Sequence, residues 1–405
     1  MYVLNTAYGN KTFEKQVQIR SGASFPLNPR SDVVYFIDGI VDFGSKSINV
    51  PYGGIYLSGH GKNISGIKST ESNYSLFTGN YSGDIFFKAM FIEVSGTNSK
   101  VFNVTSLTGN EAIEIDEINF NNCSSLGEAT NYRQFLETDT GRFGGTPELT
   151  LSGNVDGYRI TTSIVRNLDP TFSGSLFKSG TGLSFSNRFL TDMKCDLPTN
   201  ANVSDFSTSN FQFPSTMQIQ GGIFSRNGAI NTGDNVFFPN LDPENLVCSW
   251  KNNEGLRNTF EGGRLTIASE VETVITAAST YYDILGTWTA DNLDHFSSPS
   301  NGELKNDGTN PSEYKLFASL ILSGTANDSL SIRLLKWDSA NSQFVIIKDY
   351  PSTVNSLSGP RDVSIVNFGW RVNIQQNDYI KLQVANLTDN NSLTAEIGSY
   401  FELNL

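Results

Sequence analysis

From about Asp32 to Gly263 the apolar residues come in short β-branched or aromatic runs, cut by Gly, Asn and Ser. Val34-Tyr35-Phe36-Ile37 is followed by Gly39, Ser47-Ile48-Asn49-Val50 by Pro51, and Ile55-Tyr56-Leu57 by Gly59. Further runs are Asp84–Val94, Lys100–Val104, Ala112–Phe120, Glu148–Leu151, Gly182–Phe189 and Met217–Phe224. No helical 3.6-residue period runs through them, so helices should be scarce. Strands this short do not build the extended sheets of a sandwich. They suit a solenoid, in which each coil supplies two or three small strands and stacks on the next. The spacing of roughly 20–25 residues, without a strict repeat, predicts an irregular right-handed parallel β-helix over residues 32–265.

Near Thr266–Thr276 the texture changes to longer, cleaner alternation: Tyr314–Leu322, Ser329–Trp337, Gln343–Lys348, Asp362–Asn367, Trp370–Ile374, Tyr379–Ala385 and Leu393–Leu403. In the sixth of these Ile380, Leu382 and Val384 share one face while Lys381 and Gln383 share the other, the mark of a half-buried antiparallel strand. The segment 272–405 is therefore expected to fold as an antiparallel jelly-roll β-sandwich, making the whole chain all-β. Residues 1–31 fit neither pattern. Phe25-Pro26-Leu27-Asn28-Pro29 is a stiff extended stretch, and the segment reads as an arm that caps the solenoid or ties it to something else.

Composition narrows the chemistry. Among 405 residues, 28 Lys and Arg against 41 Asp and Glu leave a formal charge of −13, which disfavours nucleic acid as a partner. No apolar stretch approaches the length of about 20 residues that crosses a bilayer, and the N-terminus lacks a secretory pattern, so neither membrane insertion nor export by that route is expected. Cys123, Cys195 and Cys248 are few, distant and odd in number, and make no disulfide framework. The two histidines, His60 and His295, lie at no metal-ligand spacing from the cysteines; neither a metal nor another cofactor is expected. His60, in Gly59-His60-Gly61, reads as a turn residue, and His295 as a surface or packing residue.

Two stretches carry a family likeness. Val34-Tyr35-Phe36-Ile37-Asp38-Gly39 with Ile48–Gly59 resembles the first coils of phage tail-spike and tail-fibre proteins that have a pectate-lyase-like β-helix. Trp288, His295-Phe296, Asn301-Gly302, Tyr314–Leu320, Ile332-Arg333-Leu334, Gln376–Ile380 and Ala395–Phe401 together resemble a tumour-necrosis-factor/C1q-like jelly roll of the kind such proteins carry at their tips. The resemblance implies a homotrimer made in the host cytoplasm and built into a virion as a tail fibre, tail spike or head fibre. It also implies that the N-terminal arm meets other virion proteins, while the rest recognises host-surface polysaccharide or protein.

Spikes of this kind often cleave the polysaccharide they bind, so paired acids matter. Glu114 and Asp116 alternate with Ile113 and Ile115 and should both point outward. Asp192 and Asp196 share a face with Lys194, opposite Met193 and Cys195, and Glu137 with Asp139 lies near Arg142. Glu117 breaks the alternation and should turn the chain. Two acids at i and i+2 stand roughly 6–7 Å apart, near a glycosidase separation, but acids on a strand's solvent face serve solubility and edge protection far more often. Adhesion is therefore the expected function. A depolymerase, hydrolase or lyase, using Asp192, Asp196, Glu114 and Asp116 is the alternative, and a ligand-free decoration protein is a third. Contacts to a host ligand are placed on the loops Asp338–Ser342 and Asn355–Arg361, through Trp337, Tyr350 and Arg361. Trp370, beside Gly369, is expected in the core.

Overall fold

A computed structural model describes residues 2–6, 9–13, 15–186, 189–212, 217–230, 237–241, 248–256, 262–308, 312–354 and 362–405. The chain divides into two compact units, 1–243 with 247–258, and 244–246 with 259–405. Among the described residues the helical segments are two single 3-10 turns, Gly22–Ser24 and Thr208–Asn210; everything else regular is strand.

The first unit is a β-solenoid of about seven turns. Its longer parallel sheet carries Lys15–Ile19, Val33–Ile37, Ile55–Ser58, Ile85–Val94, Ala112–Asn121, Gln134–Phe143 and Gly157–Arg166, and continues through Met193–Leu197 to Ile223–Arg226. Its shorter sheet runs from Ile48–Asn49 through Lys100–Ser106 to Asn202–Ser204. Pairing is in register, so like residues stack. Ile55, Ile85, Ile113, Phe135 and Tyr158 form one internal column, and Ile48, Phe77, Phe102, Gly127, Leu149 and Phe177 another. Each coil alone could not bury its apolar side; stacking makes the core continuous. Aromatic rings follow the columns, as with Phe135 on Tyr158 at 5.3 Å and Phe77 on Phe102 at 5.6 Å. Gly127 interrupts its column because its φ is +88° and a Cβ there would lie 2.0 Å from the Phe102 carbonyl oxygen.

The coil period is looser than the run spacing implied. Ile85 pairs with Ile113, Ile113 with Phe135 and Tyr158 with Phe189, offsets of 28, 22 and 31 residues. Within a coil the long strand bends at one left-handed residue: Ala89, Glu117, Asp139 and Thr162, with φ between 49° and 58°, occupy this corner in successive coils. Glu117 thus turns the chain as its broken alternation implied. The arm expected over 1–31 divides. Tyr2–Thr6 and Gly9–Phe13 form an antiparallel hairpin, whereas Lys15–Ile19 pairs parallel with Val33–Ile37, and Ile19 and Phe25 join the solenoid core.

In the second unit two antiparallel sheets pack as a jelly roll. One has Ser312–Gly324 between Asp362–Ile374 and Tyr400–Asn404, followed by Gly262–Glu270 and Gly286–Asp294; the other has Tyr379–Asn386, Ser329–Asp338 and Gln343–Thr353 side by side. Neighbours distant in sequence, such as Leu316 with Leu403 and Ile332 with Val384, are the crossovers of this architecture. Tyr314, Leu316, Ala318, Leu320 and Leu322 alternate inward to meet Ile380, Leu382 and Val384. Gly262–Glu270 belongs here, so the change of texture lags the structural boundary by several residues. Asp362–Ile374 is one strand continuing through Gly369 and not two.

Candidate functional site

Where coils pass from the shorter sheet back to the longer one, successive turns line up as a ridge. Gly54, Gly109, Asn131, Gly153 and Gly182 all take positive φ there. The turns interlock by backbone bonds: Arg133 N–H donates to the Glu111 carbonyl at 2.9 Å, Asp156 N–H to that of Arg133 at 2.7 Å, and Asn131 N–H to that of Ser152 at 2.9 Å. Between them opens a polar cleft of about 530 Å³, walled by Thr108, Asn110, Asn131, Arg133, Asn154 and Asp156. The Glu111 carboxylate props up the near wall, accepting from the Ser106 hydroxyl, from Thr108 Oγ1 at 2.8 Å, and from the backbone N–H groups of Thr108 and Asn110, both at 3.1 Å. Burial raises its pKa, but these donors outweigh burial and hold it down to about 2. Arg133 Nε pairs with Asp156 Oδ2. In the two preceding coils the turn residue Tyr52 and the strand residue Tyr81, next to the end of Ser75–Ser82, are 72% and 73% exposed. Acid spacing does not mark this place; the signal in the sequence is the pair of left-handed-prone residues Asn131 and Gly153, one coil apart.

The acids singled out from the sequence lie elsewhere. Glu114 and Asp116 face outward, but Asp116 is held by Lys88 at 2.5 Å, and Glu114 and Glu117 surround the same ammonium. Asp192 is exposed, between the strands Phe189–Thr191 and Met193–Leu197. Asp196 Oδ1 accepts from Ser225 Oγ and Gly228 N–H, both at 2.8 Å, which locks it into a turn. Asp139 binds Lys62 at 2.7 Å. Glu137 is internal: register places it in a core column between Ile115 and Ile160, and Arg142 in another between Phe120 and Val165. Both side chains are 0% exposed and meet at 2.6 Å. Arg142 also donates to the Pro147 and Leu176 carbonyls and lies over the Phe177 ring at 4.3 Å. A strand's alternation cannot reveal a charge pair that points inward.

On the jelly roll, Trp337 is half-buried, stacked at 5.8 Å on Tyr379 and edge-on to the exposed Phe344 at 5.0 Å. Tyr350 is partly buried against Phe368 with ring centroids 4.0 Å apart, and its hydroxyl has no hydrogen-bond partner among the described residues. The loop Asp338–Ser342 is closed by its own bonds, Asp338 capping Ala340 and Asn341, and Asp378 holding Ser339. Arg361 and the loop 355–361 lie outside the described residues. Trp370, expected inside, is 43% exposed, because Asp362–Ile374 is a sheet edge paired only with Ser312–Gly324 among the described residues. With Phe317 (42%) it lines a shallow apolar depression of about 710 Å³ rimmed by Lys315 and Arg371. Ile365, on the same strand, is 62% exposed.

His60 Nε2 sits 3.5 Å from Asp38 and its ring edge-on to Phe36; His295 takes φ +60° in a turn and is nearly buried. Cys123 and Cys195 are free and fully buried, and burial pushes the Cys123 thiol up to about 12, as suits packing residues. Among the described residues, no group of three or more His, Cys, Asp or Glu side chains clusters as a metal site.

No protein-family model matches the chain, and no curated protein matches it. Among solved structures, that of murine APRIL at pH 5.0 is similar over 36% of this chain and 100% of its own length, with 7% identity and a TM-score of 0.27. The structure of Eiger TNF from S. frugiperda is similar over 36% of this chain and 94% of its own, with 11% identity and a TM-score of 0.29.

Proposed function

We propose that the protein is a virion-borne adhesin, a homotrimeric tail fibre, tail spike or head fibre that binds the host surface without cleaving it. The family likeness of the opening coils and of the C-terminal part, residues 272–405, motivates the virion assignment. The observation that favours adhesion over cleavage is the state of the nominated acids: in each pair at least one carboxylate is already committed, Asp116 to Lys88, Asp196 to a turn, and Glu137 to Arg142. A glycosidase needs one acid free to protonate a leaving group and the other free to attack or to activate water. The exposed Phe317, Ile365 and Trp370 suit association between copies, which removes apolar edge surface from water.

Sedimentation of the purified chain should give a trimer, and Phe317→Asp combined with Ile365→Asp should shift it toward monomer. Labelled protein should bind host cells and release no reducing ends or unsaturated sugars from their polysaccharide. A parent chain that stays monomeric at micromolar concentration would refute the trimer. Sugar release abolished by alanine at Asp192, Asp196, Glu114 or Asp116 would refute the non-enzymatic reading.

A further inference from the structure

We propose that the N-terminal edge of the solenoid is a docking site for an extended, acidic segment of another protein, which adds as a further strand beside Lys15–Ile19. The inference goes beyond the adhesin reading and does not depend on it.

Lys15–Ile19 is the terminal strand of the longer sheet and pairs only with Val33–Ile37 among the described residues. Along a strand in a parallel pair, the N–H and C=O of one residue point to the same side and those of the next residue to the other. The Ile19 carbonyl accepts from Asp38 N–H at 2.9 Å, so Ile19, Val17 and Lys15 turn their main-chain groups to the neighbouring coil, and Gln16 and Gln18 turn theirs outward. Their backbone donors and acceptors stand in a row without a partner strand among the described residues. The N-terminal hairpin does not close this edge. Tyr2–Thr6 and Gly9–Phe13 pair with each other, and Phe13 packs on Tyr56 at 4.8 Å, in a small apolar cluster with Val34 and Phe86 that is separate from the main core.

The side chains of the edge select what it takes. Val17 heads the internal column of Tyr35, Leu57, Phe87 and Ile115, all buried, yet is itself only partly buried, so the core ends here without a full cover. A strand added one spacing of about 4.8 Å away would lay an apolar side chain on Val17 and continue the column, while main-chain bonds to Gln16 and Gln18 supply affinity. Leu27, in the loop of the same coil, is 83% exposed. Strand edges are blunted by proline, by a bulge or by charge. Lys15–Ile19 has no proline and keeps unbroken register, which leaves Lys15 as its guard. Charge then decides between occupants. The first 31 residues hold Lys11, Lys15, Arg20 and Arg30 against Glu14, in a chain whose total is −13. Arg20 holds Asp38 at 2.7 Å and Arg30 holds Asp32, but their side chains are 72% and 70% exposed, and Lys15 is exposed and makes no ion pair among the described residues. Cations at one end of an otherwise acidic chain attract carboxylates there and repel the same end of a second copy, whereas a basic segment is drawn to the acidic remainder.

The test uses the full chain and a biotinylated synthetic peptide in which valine and isoleucine alternate with threonine, flanked by aspartates. One control replaces the aspartates by lysines; a second is methylated at alternate backbone nitrogens, which keeps the side chains and removes the donors a strand edge needs. The aspartate-flanked peptide should bind roughly 10-fold or more tighter than either control, the difference that a reversed charge or lost backbone bonds make. Its binding should protect the Gln16 and Gln18 amides from hydrogen exchange. Gln18→Pro removes an outward N–H and no bond to Val33–Ile37, and Lys15→Glu reverses the guarding charge; each should weaken the peptide by about 10-fold or more, the change in free energy of one hydrogen bond or close charge. Trp337→Ala on the jelly roll should leave it unchanged. Circular dichroism checks that each variant is folded, and if Gln18→Pro is not, the methylated peptide tests the same bonds from the other side. No binding at millimolar concentration, equal binding of the lysine-flanked peptide, binding that both edge variants preserve, or protection confined to other residues would overturn the proposal. Self-association of the parent that Gln18→Pro or Lys15→Glu abolishes would overturn it too, because the edge would then belong to a second copy.

Discussion

The internal ion pair of the solenoid gives a demanding test of how its coils hold together. Glu137 and Arg142 replace apolar residues in two stacked columns and neutralise each other across the corner at Asp139. Arg142→Met keeps the length of the side chain and removes its charge. It strands a carboxylate at 0% exposure whose other oxygen has only the Thr140 hydroxyl, at 3.1 Å. Breaking a buried pair from one side costs about 3–5 kcal/mol, and at about 2–4 °C per kcal/mol for a unit of this size the solenoid's thermal midpoint should fall by about 6–20 °C. Adding Glu137→Leu restores an apolar column and removes the stranded charge. The Pro147 and Leu176 carbonyls, at 3.2 and 3.3 Å from Arg142 Nη1, still lose their donor, so the double variant should remain about 1–3 kcal/mol below the parent. Within Arg142→Met the lone carboxyl should bind a proton more readily folded than unfolded, because burial disfavours its charged form. That variant should therefore recover stability as pH falls from 8 to 5, where the parent should not. Urea and thermal melts of the four proteins of the cycle measure this directly. If the single costs add to within about 0.5 kcal/mol in the double variant, or if Arg142→Met costs less than about 1 kcal/mol, the pair is not the internal clamp described here.

Two further outcomes follow from single side chains. Because the Glu111 carboxyl is held at about 2 against an ordinary 4.5, its contribution is complete above pH 4.5 and is lost as pH drops toward 2; Glu111→Gln should flatten the stability profile of the solenoid across that window and leave it unchanged in slope above pH 6. Tyr350→Phe removes a buried hydroxyl that has no partner among the described residues, so the stability of the jelly roll in urea melts should be unchanged or rise by up to about 1 kcal/mol, and host-cell binding should not change; a loss of binding would place Tyr350 on the contact surface.

Much of the architecture is legible one run at a time. A strand's side chains alternate between two faces, so Ile380, Leu382 and Val384 announce a half-buried strand whatever lies opposite, and short Gly-punctuated runs announce coils too small to stand alone. The corner at Glu117 could be read for the same local reason: two polar residues in succession break the period, and the chain bends there with φ +55°. What pairs with what is another matter, because coil length varies from 22 to 31 residues between neighbours and register is set by which columns pack. Only that register put Glu137 opposite Ile115 inside the core, when its neighbours in sequence gave it the look of a surface acid. Only the packing of two sheets turned Tyr350 onto Phe368 and left Trp370 at an uncovered edge. The cleft lies beyond sequence reading for the same reason. Asn110, Asn131, Arg133, Asn154 and Asp156 are ordinary polar residues at or beside the turns of three successive coils, and they become one wall because backbone hydrogen bonds stack those segments a single strand spacing apart.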